Sequence, residues 1–138
     1  MKELKNILLI DDNIHDNYIH TFVIRNYDPS IEVQSVTSGE DAIEYFKKSR
    51  QKEENHPYPD LVFLDINMPG MNGFEFLEKA REIDLFDHLT TRIVIMLTSS
   101  LNPADVHKAK DSFDNEIIEF KNKPLTVEML KAIIDELE

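Results

Sequence analysis

The stretch Leu61-Val62-Phe63-Leu64-Asp65-Ile66-Asn67-Met68-Pro69-Gly70-Met71-Asn72-Gly73 joins four consecutive apolar residues to a carboxylate and then to a turn-rich loop. An unbroken apolar run is what a strand covered on both faces requires. Proline, glycine and asparagine punctuate the loop. Behind it, Phe76, Leu77, Ala80 and Ile83 recur at helical spacing. The stretch therefore reads as buried strand, loop and amphipathic helix, with Asp65 where the strand ends.

The same unit repeats along the chain. Strand-like runs begin near Ile7, Ile31, Leu61, Ile93 and Ile117, and helical stripes lie between them; the last comprises Val127, Leu130, Ile134 and Leu137. Helix-start signals agree. Ser38 stands three residues before Asp41 in a capping-box-like arrangement, Asn102-Pro103 pairs a cap residue with a proline at the first helical position, and Thr126 is placed to cap the last helix. Five strand–helix repeats predict an α/β domain, a parallel sheet with helices on both faces. The polar stretch Ser49–Pro59 reads as an extended loop after the second helix.

The chain has 138 residues, the size of one domain, so residues 1–138 are expected to form a single unit. Its 15 Lys+Arg against 27 Asp+Glu give a net charge of −12, which disfavours binding to nucleic acid or to an anionic membrane. Absence of cysteine excludes disulfide scaffolds, thiol catalysis and Cys-ligated metals. No run is long enough to span a membrane, and there is no apolar signal core, so a cytoplasmic location is expected.

In an open α/β sheet, ligands bind outside the carboxyl ends of the strands. Asp11-Asp12 follow the first strand, Asp65 the third, Thr98-Ser99-Ser100 the fourth and Lys123-Pro124 the fifth. Three clustered carboxylates repel one another and call for a cation. Mg²⁺, or Mn²⁺ in its place, suits oxygen ligands combined with waters and phosphate oxygens. A lysine and hydroxyls would supply the remaining donors of a phosphoryl site, and a carboxylate there can serve as the nucleophile. Asp65 is the candidate. The histidines 15, 20, 56, 88 and 107 show no ligand spacing and read as surface residues, although His15, one turn into the first helix, could border the site. Glu75, Glu78, Glu82 and Asp84 read as a solvated helix face.

With these residues the chain resembles receiver domains of two-component response regulators, on Asp11-Asp12-Asn13, Asp65-Ile66-Asn67-Met68-Pro69 with Gly73, Leu97-Thr98-Ser99, and Phe120 with Lys123-Pro124. The resemblance implies a flavodoxin-like (βα)5 fold of the chemotaxis-regulator kind, with strand order 2-1-3-4-5. It implies Asp65 as phosphoacceptor, and Mg²⁺ on Asp12, Asp65 and the Asn67 backbone carbonyl, with Asp11 holding a metal-bound water. Thr98 would bond the phosphoryl group and switch together with Phe120. Lys123 would pair with a phosphoryl oxygen, and the Lys123–Pro124 peptide would be cis. Asn67 and Ser100 would flank the path of hydrolytic water. A sensor histidine kinase or phosphotransfer protein would dock on the first helix, Ile14 to Phe22, and the Pro124 loop. An effector protein, not identified by the sequence, would read out the fourth helix, fifth strand and fifth helix. The resemblance covers essentially the whole chain, so a stand-alone regulator with no output domain is expected, as a monomer or weak dimer. Three features depart from the family. Asp111–Asn115 lacks the usual Gly-Ala pair, Phe120 has no hydroxyl and so cannot make a switch bond that uses one, and the 49–59 loop is longer than in minimal receivers, resembling regulators paired with bacterial phytochrome kinases.

Other functions fit less well. Aspartyl-nucleophile phosphatases carry an acid two residues after the nucleophile, where this chain has Asn67. The chain is therefore expected to be a phosphoacceptor with self-catalysed chemistry only, not a turnover enzyme. An EF-hand begun at Asp11 would need Gly at 16 and Glu at 22 but meets Asp16 and Phe22. No glycine-rich nucleotide loop follows the first strand. A phosphorylation-independent interaction module is argued against by the joint presence of Asp12, Asp65, Thr98 and Lys123.

Overall fold

The computed structural model of the chain describes residues 4–85, 94–98, 102–113 and 117–137. Strands and helices alternate as β1(Asn6–Ile10), α1(Ile14–Tyr27), β2(Glu32–Val36), α2(Gly39–Arg50), β3(Leu61–Leu64), α3(Gly73–Glu82), β4(Val94–Thr98), α4(Pro103–Ser112), β5(Ile117–Asn122) and α5(Val127–Leu137). The strands form one parallel sheet in the order β2-β1-β3-β4-β5, as the resemblance implied.

Side chains alternate across a strand, so a continuous apolar run feeds two layers. Leu8 and Ile10 of β1 and Val62 and Leu64 of β3 pack with Ala42 and Phe46 of α2 and with Phe74, Phe76 and Leu77 of α3. Ile7, Leu9, Leu61 and Phe63 face the other way, onto Ile24 of α1 and Leu130, Ile133 and Ile134 of α5. Each such side chain contributes about 1.5–3 kcal/mol on burial.

The helix starts obey local chemistry. Ser38 Oγ accepts the Asp41 N–H at 3.0 Å, and Thr126 Oγ1 accepts the Met129 N–H at 3.1 Å. Asn102 Oδ1 accepts the Ala104 N–H at 2.9 Å. The full two-way box forms at α3, where Asn72 and Glu75 exchange side-chain-to-backbone bonds of 2.8 and 2.9 Å. Glu75, expected to be only part of a solvated face, is exposed and also closes this cap.

Two expectations need correction. Ser49 and Arg50 are the last turn of α2, not loop, and basic Lys47, Lys48 and Arg50 suit the negative end of its dipole. The chain beyond turns through positive φ at Lys52 and Asn55, and is pinned by Tyr45 Oη donating to the Pro57 carbonyl at 2.7 Å. His20 is buried, at 2% exposure, on the inner side of α1; His15 and His107 are exposed and His56 is half-buried. Within Asp111–Asn115, Phe113 joins the core, stacked on Phe74 with ring centroids 5.8 Å apart. Ile93, Ser99, Ser100, His88, Asp114 and Asn115 lie outside the described residues.

Candidate functional site

Sheet register builds the site. Ile10 lies opposite Leu64 across β1 and β3, so Asp11 and Asp65 leave the sheet side by side. The Asp65 N–H donates to the Ile10 carbonyl at 2.9 Å, and the Asp11 N–H to the Val36 carbonyl at 3.1 Å, which prolongs the strand pairing into both turns. Asp12 comes directly after. Carboxylate oxygens of Asp11, Asp12 and Asp65 come within 4.8 Å of one another. Asp11 and Asp65 are buried, at 4% and 6% exposure, and Asp12 is exposed.

The β1–α1 turn is tied down from inside. Asp11 Oδ1 accepts the Asn13 N–H at 3.0 Å, Asn13 Oδ1 caps α1 by accepting the Asp16 N–H at 3.1 Å, and Asn17 Nδ2 donates to the Asp11 carbonyl at 2.9 Å. Asn13 is thus the cap, which leaves Asp12 and the second oxygen of Asp11 for other partners. At β3, Asp65 Oδ1 accepts the Asn67 N–H at 3.3 Å.

Lys123 enters from the end of β5. Its N–H donates to the Thr98 carbonyl at 2.7 Å, and the Lys123–Pro124 peptide is cis. Its ammonium lies 2.7 Å from Asp11 Oδ2, 2.9 Å from Asp16 Oδ2 and 3.5 Å from Asp65 Oδ2. Thr98, the last residue of β4, is fully buried, and Phe120 of β5 is partly buried against the core on the α2–α3 side of the sheet.

Charge and burial set the electrostatics. Burial first, and then the neighbouring Asp11 charge, push the Asp65 carboxyl up to about 6; Lys123 and the Asn67 N–H pull the other way without prevailing. Burial alone would lower the Lys123 ammonium, but hydrogen bonds to Asp11 and Asp16 outweigh it and hold it above the usual lysine range. Burial lowers His20, opposed by Asp16 and Asp11. A hard divalent cation fits this donor set: three carboxylates converge, and burial together with their mutual repulsion, which such an ion would relieve, raises one of them.

Asp11, Asp12, Asp65 and Lys123, expected from strand ends, therefore meet in one place. Asp16, Asn17 and His20 were not expected there. Their signal was the position of Asp16 three residues after the Asn13 cap, but its partner Lys123 lies 107 residues away in sequence.

The chain belongs to the response regulator receiver domain family, whose model matches residues 7–135. It is 31% identical over 134 residues to a protein-glutamate methylesterase/protein-glutamine glutaminase of Methanospirillum hungatei, covering 96% of this chain and 34% of that protein. It is 32% identical over 133 residues to hybrid signal transduction histidine kinase L of Dictyostelium discoideum, covering 96% of this chain and 7% of that one. The chain thus spans about a third or less of these curated relatives. In structure it is similar to a two-component response regulator from Cytophaga hutchinsonii, with 33% identity and a TM-score of 0.83 over 99% of this chain and 98% of that one. It is also similar to the bacteriophytochrome response regulator AtBRR, with 28% identity and a TM-score of 0.72 over 99% and 94%. Receiver domains are signalling domains of two-component systems. They are phosphorylated on an aspartate, bind Mg²⁺ at an acidic pocket, and interact with histidine kinases or phosphotransfer proteins and with effectors. Among the described residues, no helix is long and apolar enough to cross a membrane.

Proposed function

We propose that Asp65 is the phosphoacceptor and that residues 1–138 work as a receiver domain in the cytoplasm. A carboxylate oxygen of Asp65 attacks the phosphorus of a phosphohistidine. The P–N bond breaks, its electron pair returns to the imidazole, and an acyl phosphate remains on Asp65. The observation that carries this reading is the buried Asp65 carboxylate, grouped with Asp11 and Asp12 and 3.5 Å from the Lys123 ammonium. Asp12, Asp65 and the Asn67 carbonyl would hold Mg²⁺, with Asp11 on a metal-bound water; the ion supplies positive charge to the transferring phosphoryl oxygens. Lys123 takes an oxygen that the ion does not cover. Thr98 bonds the phosphoryl group and, with Phe120, biases a minor conformation that α4, β5 and α5 present to an effector. Asn67 carries no exchangeable acid, which favours self-catalysed acceptance and loss of the group over turnover of external phosphoesters.

The donor's docking face is α1. Ile14, Tyr18 and Phe22 recur every four residues and are exposed, at 71%, 75% and 66%, beside the acidic pocket. Such a stripe suits the apolar face of a helical phosphotransfer partner.

Acetyl phosphate with Mg²⁺ should add one phosphoryl group to the protein, measured by intact mass. Asp65→Asn and excess chelator should each abolish the addition. Full labelling of the variant would reject Asp65 as the acceptor.

A further inference from the structure

Lys123 is held by a carboxylate outside the three-carboxylate cluster. Asp16 sits in the first turn of α1, not at a strand end, and its side chain is 29% exposed. It nonetheless lies 2.9 Å from the Lys123 ammonium, closer than Asp65 at 3.5 Å. An ammonium has three donors. Asp11 and Asp16 take full hydrogen bonds from it, and the contact to Asp65 is longer than a good one.

We propose that Asp16 is a positioning residue, a tether from α1 that draws the Lys123 ammonium off Asp65 in the resting protein and yields it when a phosphoryl group arrives. The inference rests on Asp65 as phosphoacceptor and adds what sets its readiness. Phosphorylation puts more negative charge beyond the Asp65 carboxyl, and Lys123 gains by moving towards it. The Asp16 contact opposes that move. The same contact keeps a positive charge from settling fully among Asp11, Asp12 and Asp65, where a divalent cation would compete with it.

Removing the Asp16 carboxylate should therefore have two opposite consequences: weaker metal binding, and faster phosphorylation once metal is saturating. A merely structural role would impair both together. The Asp16 N–H that receives the Asn13 cap is backbone and survives substitution.

The test uses the full chain as wild type, Asp16→Asn and Asp16→Glu. In metal-free ¹⁵N-labelled protein, the Lys123 ammonium resonance should shift or be lost in Asp16→Asn and return in Asp16→Glu. The Mg²⁺ dissociation constant of Asp16→Asn should rise about threefold, and its labelling rate by acetyl phosphate at saturating Mg²⁺ should rise about three- to tenfold. Unchanged resonance, affinity and rate would overturn the tether, as would weaker metal binding with slower labelling. If wild type itself takes no phosphoryl group, the phosphoacceptor reading fails, while the metal-free resonance still decides whether Asp16 holds Lys123.

Discussion

Helices α1 and α3 each begin at an asparagine cap downstream of an acidic strand end, α1 directly and α3 after a loop, yet they are built inside out relative to each other. α3 turns Phe74, Phe76, Leu77 and Ala80 inward and its charges outward. α1 buries Asn17 and His20 along with Ile24 and leaves Ile14, Tyr18, Ile19 and Phe22 exposed. Asn17 Oδ1 has no hydrogen-bond partner among the described residues despite its burial, an arrangement that costs stability. A cavity of about 340 Å³ opens beside the α1 stripe, lined by Ile14, Tyr18, Phe22, Arg25, Ser35 and Thr37. The contrast separates two uses of apolar residues. α3 commits them to the core, whereas α1 gives up some core packing to hold polar groups behind the acidic pocket and to present an apolar face next to it.

The largest effect should come from the core. Phe76→Ala should destabilise the fold by about 3–5 kcal/mol, measured by denaturant unfolding. Phe22→Ala should change stability by less than about 0.5 kcal/mol. Equal losses would break the contrast.

The pH dependence sharpens it, because two groups with shifted titration, Asp65 and His20, lie at the acidic pocket and on the inner side of α1. Asp65 is raised from 3.8 to about 6, so between these values the folded state holds a proton that the unfolded state has released, and this group makes stability fall as pH rises. Its full contribution is at most about 3 kcal/mol. His20 is lowered, so near and below pH 6.5 the unfolded state binds the extra proton, and this group makes stability rise with pH. The two oppose each other in the metal-free protein. Asp65→Asn should leave the His20 slope unmasked in melts from pH 4.5 to 7.5, with stability rising more steeply with pH than in wild type; an unchanged slope would contradict the buried acid.

The smallest effect concerns docking. Tyr18→Ala together with Phe22→Ala should slow phosphotransfer from a cognate kinase or phosphotransfer protein about tenfold, roughly the loss of one or two interface anchors. Labelling by acetyl phosphate, which needs no docking, should be unaffected. Equal slowing of both reactions would remove α1 as the donor's face.

Much of this was legible in residue order. The run Leu61–Leu64 signalled a strand covered on both faces, and Asp11, Asp12, Asp65 and Lys123 stood at strand ends, where the topology of an open sheet gathers ligands. α1 was less legible. Its inner residues are polar, so no apolar stripe distinguishes the buried side from the exposed one, and His20 read as a surface residue. The last turn of α2 was hidden for a similar reason: Ser49 and Arg50 look like loop by composition, and only their place at a basic helix end favours the helical turn. Phe113 carried no periodic signal, because it packs through contacts with Phe74 rather than through a helix stripe.

Sequence by itself determined the alternation of strand and helix, the parallel sheet and the acidic edge, because periodicity and capping are local and strand ends share one edge in such a sheet. Tertiary structure alone decided how that edge is charged. Asp11 and Asp65 are equally buried, but the ammonium lies 2.7 Å from one and 3.5 Å from the other, with Asp16 competing for it. Coulomb energy depends on distances between residues far apart in the chain and on the water removed around them, and neither is written in residue order.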